Sequence, residues 1–293
     1  MRMYRCTSSM KISVIMPSFN QAQYVEASVR SIIEQDYDDK EILFIDGGST
    51  DETMRVVEKY RDKFACCVSE RDNGQSDALH KGFTRATGDV LTWLNTDDLL
   101  LPGALREVAD TFASDAGYDC VFGNIIWMDE VDRILRCRKG ERYLPLLTRL
   151  GRLTPYGPSA FFKRDLYGRV GGVDLGLHYL MDTDLWWRFA ISGASFARLR
   201  RYTWGYRLHR DAKTSAPMFS EAPDASLKKA MEARRAEVDR VGAMTKRHSL
   251  AFPDILTTAL QSSLRATSPN YLASLYDSWR LRGHHINEAI ETQ

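Results

Sequence analysis

Four short apolar runs in the first hundred residues each stop at a polar cluster, and this alternation restricts the chain to few architectures. Ile12-Ser13-Val14-Ile15-Met16 ends at Pro17-Ser18-Phe19-Asn20, and Glu41-Ile42-Leu43-Phe44-Ile45-Asp46 ends at Gly47-Gly48. Phe64 to Val68 leads into the polar stretch Glu70 to Asp77, and Asp89 to Leu94 leads into Asn95-Thr96-Asp97-Asp98. Runs of this length bounded by turn residues read as buried strands. Helical spacing fills the gaps: Tyr24, Val25, Val29, Ile32 and Ile33; then Val56, Val57 and Tyr60 behind a Ser49/Glu52 capping box; then Ser76 to Arg85. Repeated β-α units with short loops predict an α/β fold with a doubly wound, mostly parallel, Rossmann-like sheet. Ligands of such sheets bind at the carboxyl ends of the strands. All four polar clusters would meet at that edge.

The middle of the chain is mixed. Val121 to Trp127 and Ile134 to Arg138 read as a hairpin, Ser159 to Phe162 as a strand, Asp184 to Ile191 as a helix, and Ser195 to Leu208 as extended chain. Beyond about Pro217 the composition shifts to charged amphipathic helix, such as Leu227 to Val241. The expected organisation is one domain over 10–215, in two halves at about 10–125 and about 126–215, then a helical appendage over 216–293.

Charge narrows the function. Forty Lys plus Arg against 39 Asp plus Glu leave a formal net charge of +1, which argues against bulk electrostatic binding to nucleic acid. The five cysteines are scattered and lack CxxC spacing, so a zinc site or disulfide framework is not expected, and a reducing cytoplasm fits. The opening MRMYRCTSSM has no apolar core, so no signal peptide is expected, and no apolar run reaches the roughly 18 residues needed to span a bilayer. Membrane association would be peripheral, at the inner face. The basic stretches Lys228-Lys229 and Arg234-Arg235 could serve it, or could simply form a solvated helix face.

Three clusters could carry chemistry. Two adjacent carboxylates beside an amide in Asn95-Thr96-Asp97-Asp98 suit a hard divalent cation, and one of them could equally cap the helix that begins near Pro102. Met181-Asp182-Thr183-Asp184-Leu185-Trp186-Trp187-Arg188 precedes a helix that needs only one capping carboxylate, which frees the other for general-base work. The loop Arg207-Leu208-His209-Arg210-Asp211-Ala212-Lys213-Thr214 holds four basic groups that could meet phosphate or metal, or could be a solvated turn.

The motifs Val14 to Asn20, Ile45 to Asp51, Trp93 to Asp98 and Met181 to Trp186 occur in that order, and together they resemble the family 2 glycosyltransferases of the GT-A fold over roughly residues 10 to 215. The resemblance implies a nucleotide-binding half at about 10–125 and an acceptor half at about 126–215, and roles by position. Pro17, Ser18 and Asn20 match the loop that wraps the nucleotide, and Asp46 the acidic contact to base or ribose, with Gly47 where the family often has a second Asp. Asn95-Thr96-Asp97 stands in place of the Asp-x-Asp motif, which makes Asn95 and Asp97 metal candidates and Thr96 a donor contact. His209 resembles a late His near the diphosphate or metal, and Asp77 and Lys81 lie on a donor-side helix. Asp182 matches the catalytic base, with Met181 where the family has Glu.

The implied reaction is an inverting transfer from a nucleotide-diphosphate sugar donor to a hydroxyl, with Mg²⁺ or Mn²⁺ as cofactor. The acceptor would be a glycan or lipid-linked glycan of bacterial polysaccharide synthesis. Trp186, Trp187, Tyr156 and Tyr179 could stack on its rings, or could be core. A nucleotidyltransferase of similar fold would show a Gly-rich basic loop after the first strand, where this chain has Pro17-Ser18-Phe19-Asn20-Gln21. A degenerate domain that only binds sugar is the non-enzymatic rival, raised by Asn95 and Met181.

Overall fold

The computed structural model describes residues 10–114, 116–150, 153, 159–220, 224–248, 262–263, 265–266 and 268–290. The first half runs β1 (Ile12–Ser18), α1 (Val25–Ile33), β2 (Lys40–Asp46), α2 (Thr53–Glu58), β3 (Cys66–Ser69), α3 (Gln75–Arg85), β4 (Val90–Trp93), β5 (Leu99–Leu100) and α4 (Ala104–Ala113). Then come β6 (Cys120–Met128), β7 (Ile134–Arg138), α5 (Pro145–Arg149), β8 (Ala160–Lys163), α6 (Arg164–Arg169), α7 (Met181–Ile191) and β9 (Phe196–Arg207). The C-terminal part is helical: α8 (Ala225–Arg247), α9 (Pro269–Leu281) and α10 (Ile286–Ile290).

The strands form one sheet in the order β3-β2-β1-β4-β8-β6-β9-β5, with β7 also paired to β6. The expected doubly wound parallel sheet is present in β3, β2, β1 and β4. Antiparallel ladders enter with β8, and β6 and β9 are again parallel. Along β1 the side chains alternate between two cores, as a period of two requires. Ile12, Val14 and Met16 face α1 and α4, where Val25, Val29, Ile32, Leu105 and Val108 pack. Ile15 faces α3 and α7, with Leu79, Phe83, Leu185, Trp186 and Phe189. A Cβ at Gly82 would come within 2.4 Å of Ile15 Cγ2, so glycine lets α3 lie close on β1.

Two expectations change here. Ser49 does not cap α2; its hydroxyl turns to Asp46, while Asp51 Oδ1 takes the Thr53 amide at 3.0 Å. Neither Asp97 nor Asp98 caps α4, which begins at Ala104 behind Gly103. The C-terminal region is helical, as expected, and its helices pack on the sheet. Leu281, Ile286 and Ala289 share a core cluster with Leu99, Ile126, Met128 and Tyr202 of the sheet.

Candidate functional site

Parallel pairing sets Ser18 beside Asp46, and Asp46 beside Ser69, so the first three polar clusters share the carboxyl edge of the sheet. The first two loops are clamped together there. The Asn20 amide donates to Ser49 Oγ at 2.7 Å and the Thr50 amide to Asn20 Oδ1 at 2.9 Å. Asn20 adopts φ 52°, a left-handed conformation that Asn tolerates. Thr96 Oγ1 lies 3.2 Å from Ser18 Oγ and 3.3 Å from the Pro17 carbonyl, which joins the fourth cluster to the first. Pro17 itself is buried within β1 and is not part of the loop. Phe19 projects from this edge, 57% exposed.

Asp46 turns its carboxylate into its own loop. It is fully buried and accepts from the Gly48 and Ser49 amides (3.1 and 2.8 Å), from Ser49 Oγ and from Ser69 Oγ (2.6 Å). Such a carboxylate organises its own turn. The nearer candidate is Asp72, which the sequence reading did not single out. A Cβ built on Gly47 would lie 2.8 Å from Asp72 Oδ2, so Asp72 reaches into the space that a side chain at 47 would take. Asp72 is half-buried, and burial raises its carboxyl above the usual range against the Gly74 amide at 2.8 Å.

The adjacent carboxylates divide their roles. Asp98 is buried and accepts from Trp204 Nε1 at 3.1 Å and the Arg207 amide at 2.9 Å. Burial, reinforced by the charge of Asp97, pushes it well above the usual carboxylate range. Asp97 is partly open, and its Oδ2 stands 3.1 Å from Nε2 of the buried His209. The His209 ring packs on Tyr24 at 4.8 Å, and its Nδ1 has no partner among the described residues. Two ligands about 2.1 Å from one octahedral ion, at right angles, stand about 3 Å apart. Asp97 and His209 fit that spacing. Among the described residues no group of three or more His, Cys, Asp and Glu is gathered to hold an ion. A metal on this pair would need its other ligands from a diphosphate and water. Asn95 is engaged elsewhere, accepting from Gln75 Nε2 at 2.7 Å. Gln75 Oε1 in turn accepts from Lys213 Nζ at 3.3 Å, so a polar chain runs from α3 to the basic loop.

The second acidic cluster opens α7. Asp184 is buried and paired with Arg188, whose Nη2 lies 2.6 Å away and whose Nη1 donates to the Val170 and Gly172 carbonyls at 2.8 and 2.6 Å. Neither Asp184 nor Asp182 caps the helix. Glu237 of α8, a buried carboxylate, instead holds the turn that leads into the helix, accepting from the amides of His178, Tyr179 and Leu180 at 2.7, 2.7 and 3.0 Å. Its negative charge meets three converging amides near the positive end of the helix dipole. Asp182 is half-buried, and its hydrogen bonds come from the neighbouring Thr183, whose amide donates at 2.6 Å. Burial outweighs them and raises its carboxyl. Lys213 lies near enough to exert a charge effect on it, with its Nζ 5.1 Å from the Tyr179 ring centre. Enclosure lowers the Lys213 ammonium to about 8 against the pull of Glu237 and Asp182. The residue as a whole is exposed, so solvent screens part of that effect.

Some of the expected contact residues are engaged within the chain. Asp77 and Lys81 satisfy each other and Glu70: Lys81 Nζ is 3.0 Å from Glu70 and 3.5 Å from Asp77, which also accepts the Asn73 amide. Trp186 is 2% exposed and stacks on Trp93 at 5.4 Å with planes 10° apart; it and Trp187 are core, not acceptor platform. Tyr179 remains partly accessible beside Lys213, and Tyr156 lies outside the described residues.

Comparison with known proteins meets this geometry. The model of glycosyl transferase family 2 matches residues 13–171. The PGL/p-HBAD biosynthesis glycosyltransferase of Mycobacterium tuberculosis is 32% identical over 180 residues, 59% of this chain and 66% of that protein. The GalNAc(5)-diNAcBac-PP-undecaprenol beta-1,3-glucosyltransferase of Campylobacter jejuni is 34% identical over 120 residues, 40% of this chain and 38% of that protein. The matched stretch spans 31% to 66% of the length of such curated relatives. Among solved structures, S. aureus TarS 1–349 in complex with UDP-GlcNAc has TM-score 0.59 at 16% identity, covering 93% of this chain and 82% of that one. The mannosyltransferase PcManGT from Pyrobaculum calidifontis, in complex with GDP-Man and Mn²⁺, has TM-score 0.52 at 18% identity, covering 98% and 87%. At these identities the likeness establishes the GT-A fold.

Proposed function

The chain belongs to glycosyl transferase family 2, and from that premise we propose that it transfers a sugar from a nucleoside-diphosphate donor to a hydroxyl of a glycan, with inversion at the anomeric carbon. The observation that carries the reading is the inequality of Asp182 and Asp184. Asp184 is consumed by Arg188, whereas Asp182 has no ion-pair partner among the described residues, accepts only from the adjacent Thr183 and is desolvated. A carboxyl raised above its ordinary value is a better general base than an ordinary one.

In this mechanism Asp182 takes the proton of the acceptor hydroxyl as its oxygen attacks the anomeric carbon. The bond from that carbon to the diphosphate oxygen breaks on the opposite face, and its electron pair leaves with the nucleoside diphosphate. Lys213 stands beside the base with a charge suited to the departing phosphate. Asp97 and His209 would hold Mg²⁺ or Mn²⁺, which acts as a Lewis acid on diphosphate oxygens when bound. Asp72 and Phe19 are our candidates for the base or ribose contacts. The complexes of TarS with UDP-GlcNAc and of PcManGT with GDP-Man and Mn²⁺ support a nucleotide-sugar donor and a divalent ion. The name of the Campylobacter jejuni relative supports a lipid-linked acceptor.

The test is transfer from UDP-, GDP-, CDP- and dTDP-sugars with proton NMR of the product anomer. The inverted anomer, lost in EDTA and restored by Mn²⁺ or Mg²⁺, is expected. Retained configuration overturns the single displacement, and full activity in EDTA overturns the ion on Asp97 and His209.

A further inference from the structure

Helix α9 carries its apolar face outward. The inner face is Ser274, Asp277, Ser278 and Leu281. Ser274 Oγ and Ser278 Oγ accept the amides of Lys139 (2.7 Å) and Cys137 (2.9 Å) at β7. Asp277 meets Lys139 Nζ at 2.8 Å and the Tyr202 hydroxyl at 2.7 Å. The outer face is Leu272, Leu275, Tyr276 and Trp279, which are 57%, 48%, 59% and 79% exposed. A helix between a protein core and water has the opposite arrangement. A contiguous apolar stripe turned to solvent marks a contact surface.

Charge indicates what this surface meets. The single carboxylate of α9, Asp277, is on the inner face and already paired. Arg280 and Arg282 are exposed at the end of the helix. A small pocket against Tyr271 and Leu275 is lined by Arg136, Arg138 and Arg265, with Glu141 as the one acidic side chain. Arg136 is steadied over Trp127 at 4.9 Å and Arg265 over Tyr271 at 5.2 Å. Leu, Tyr and Trp flanked by arginine is the composition that settles at a headgroup boundary. No helix among the described residues is long and apolar enough to cross a membrane, so such contact lies in the plane of the surface.

We propose that this face docks on an anionic phospholipid bilayer. Leu272, Leu275, Tyr276 and Trp279 enter the boundary between headgroups and acyl chains, and the arginines meet lipid phosphates. The proposal rests on this surface and is independent of the transfer reaction. It moves the membrane contact away from the basic stretches of α8, where Lys228, Lys229, Arg234 and Arg235 stand exposed.

The experiment is sedimentation of the full chain with vesicles of equal phosphatidylglycerol and phosphatidylcholine, and with phosphatidylcholine alone. Binding to the anionic vesicles is expected, and about tenfold weaker binding to the neutral ones. Trp279→Ala with Leu275→Ser should weaken binding by about tenfold or more, with thermal melting unchanged because both side chains are exposed. Arg136→Gln and Arg265→Gln should each cost about fivefold. A wild-type chain that stays in the supernatant overturns the proposal, as does binding indifferent to Trp279→Ala with Leu275→Ser. A dimer in analytical ultracentrifugation that those two changes dissociate also overturns it, because the face would then belong to a second copy.

Discussion

The wall made by β1 and β2 and the wall made by α7 hold their polar groups in different ways. On the strand wall, Asn20, Asp46, Ser49 and Ser69 bind one another within two loops and a strand end. On the helix wall, Asp182 opens a helix whose leading turn is held by Glu237, 55 positions away in sequence from Asp182 and on another helix. The strand wall is held by contacts between neighbouring parallel strands and the loops that follow them. The helix wall is correct only when α8 is docked, so its chemistry is coupled to packing at a distance.

That contrast can be broken from the helix side. Asp184→Asn should have the largest effect on folding. It leaves the Arg188 guanidinium without its carboxylate, and about 3 kcal/mol of stability should be lost in denaturant unfolding. The same change should move donor affinity little. A variant as stable as the parent would mean that the pair does not hold α7.

Glu237→Gln should come next. It keeps one carbonyl acceptor but removes the charge shared by three amides, at a cost of about 2 kcal/mol. If Glu237 positions the base, turnover falls about threefold to tenfold while KM for donor stays constant. Equal loss of both, or of neither, would make it a packing residue only.

The smallest effect is a shift in pH dependence. Asp182 must be deprotonated to act, so activity should fall as pH drops through its raised pKa, above the usual carboxylate range. Lys213 is charged below about 8 and loses its charge above it, which places an alkaline limb near that pH. Lys213→Arg stays protonated and should move only the alkaline limb upward. An alkaline limb that does not move assigns it to another group.

The same contrast explains what was legible in the sequence. The strands, their order at one edge and the Asp97–Asp98 loop could be read because each is announced by neighbours: an apolar run and then a polar stop. Asp72 beside Gly47, Gln75 beside Asn95 and Glu237 on the turn before α7 could not, since each joins segments that only the fold brings together. Trp186 was misleading for a different reason. Met181, Asp184, Leu185, Trp186, Trp187, Phe189 and Ala190 are all buried, so α7 has little polar face to distinguish core aromatic from ligand platform.

The most direct measurement is turnover and donor affinity of Asp182→Asn at matched folding. The substitution keeps shape and polarity and removes only the base. Turnover should fall about 10²-fold or more with nucleotide-sugar affinity nearly unchanged. Near-normal turnover in Asp182→Asn, beside a folded but inactive Asp184→Asn, would contradict the account and move the base to Asp184.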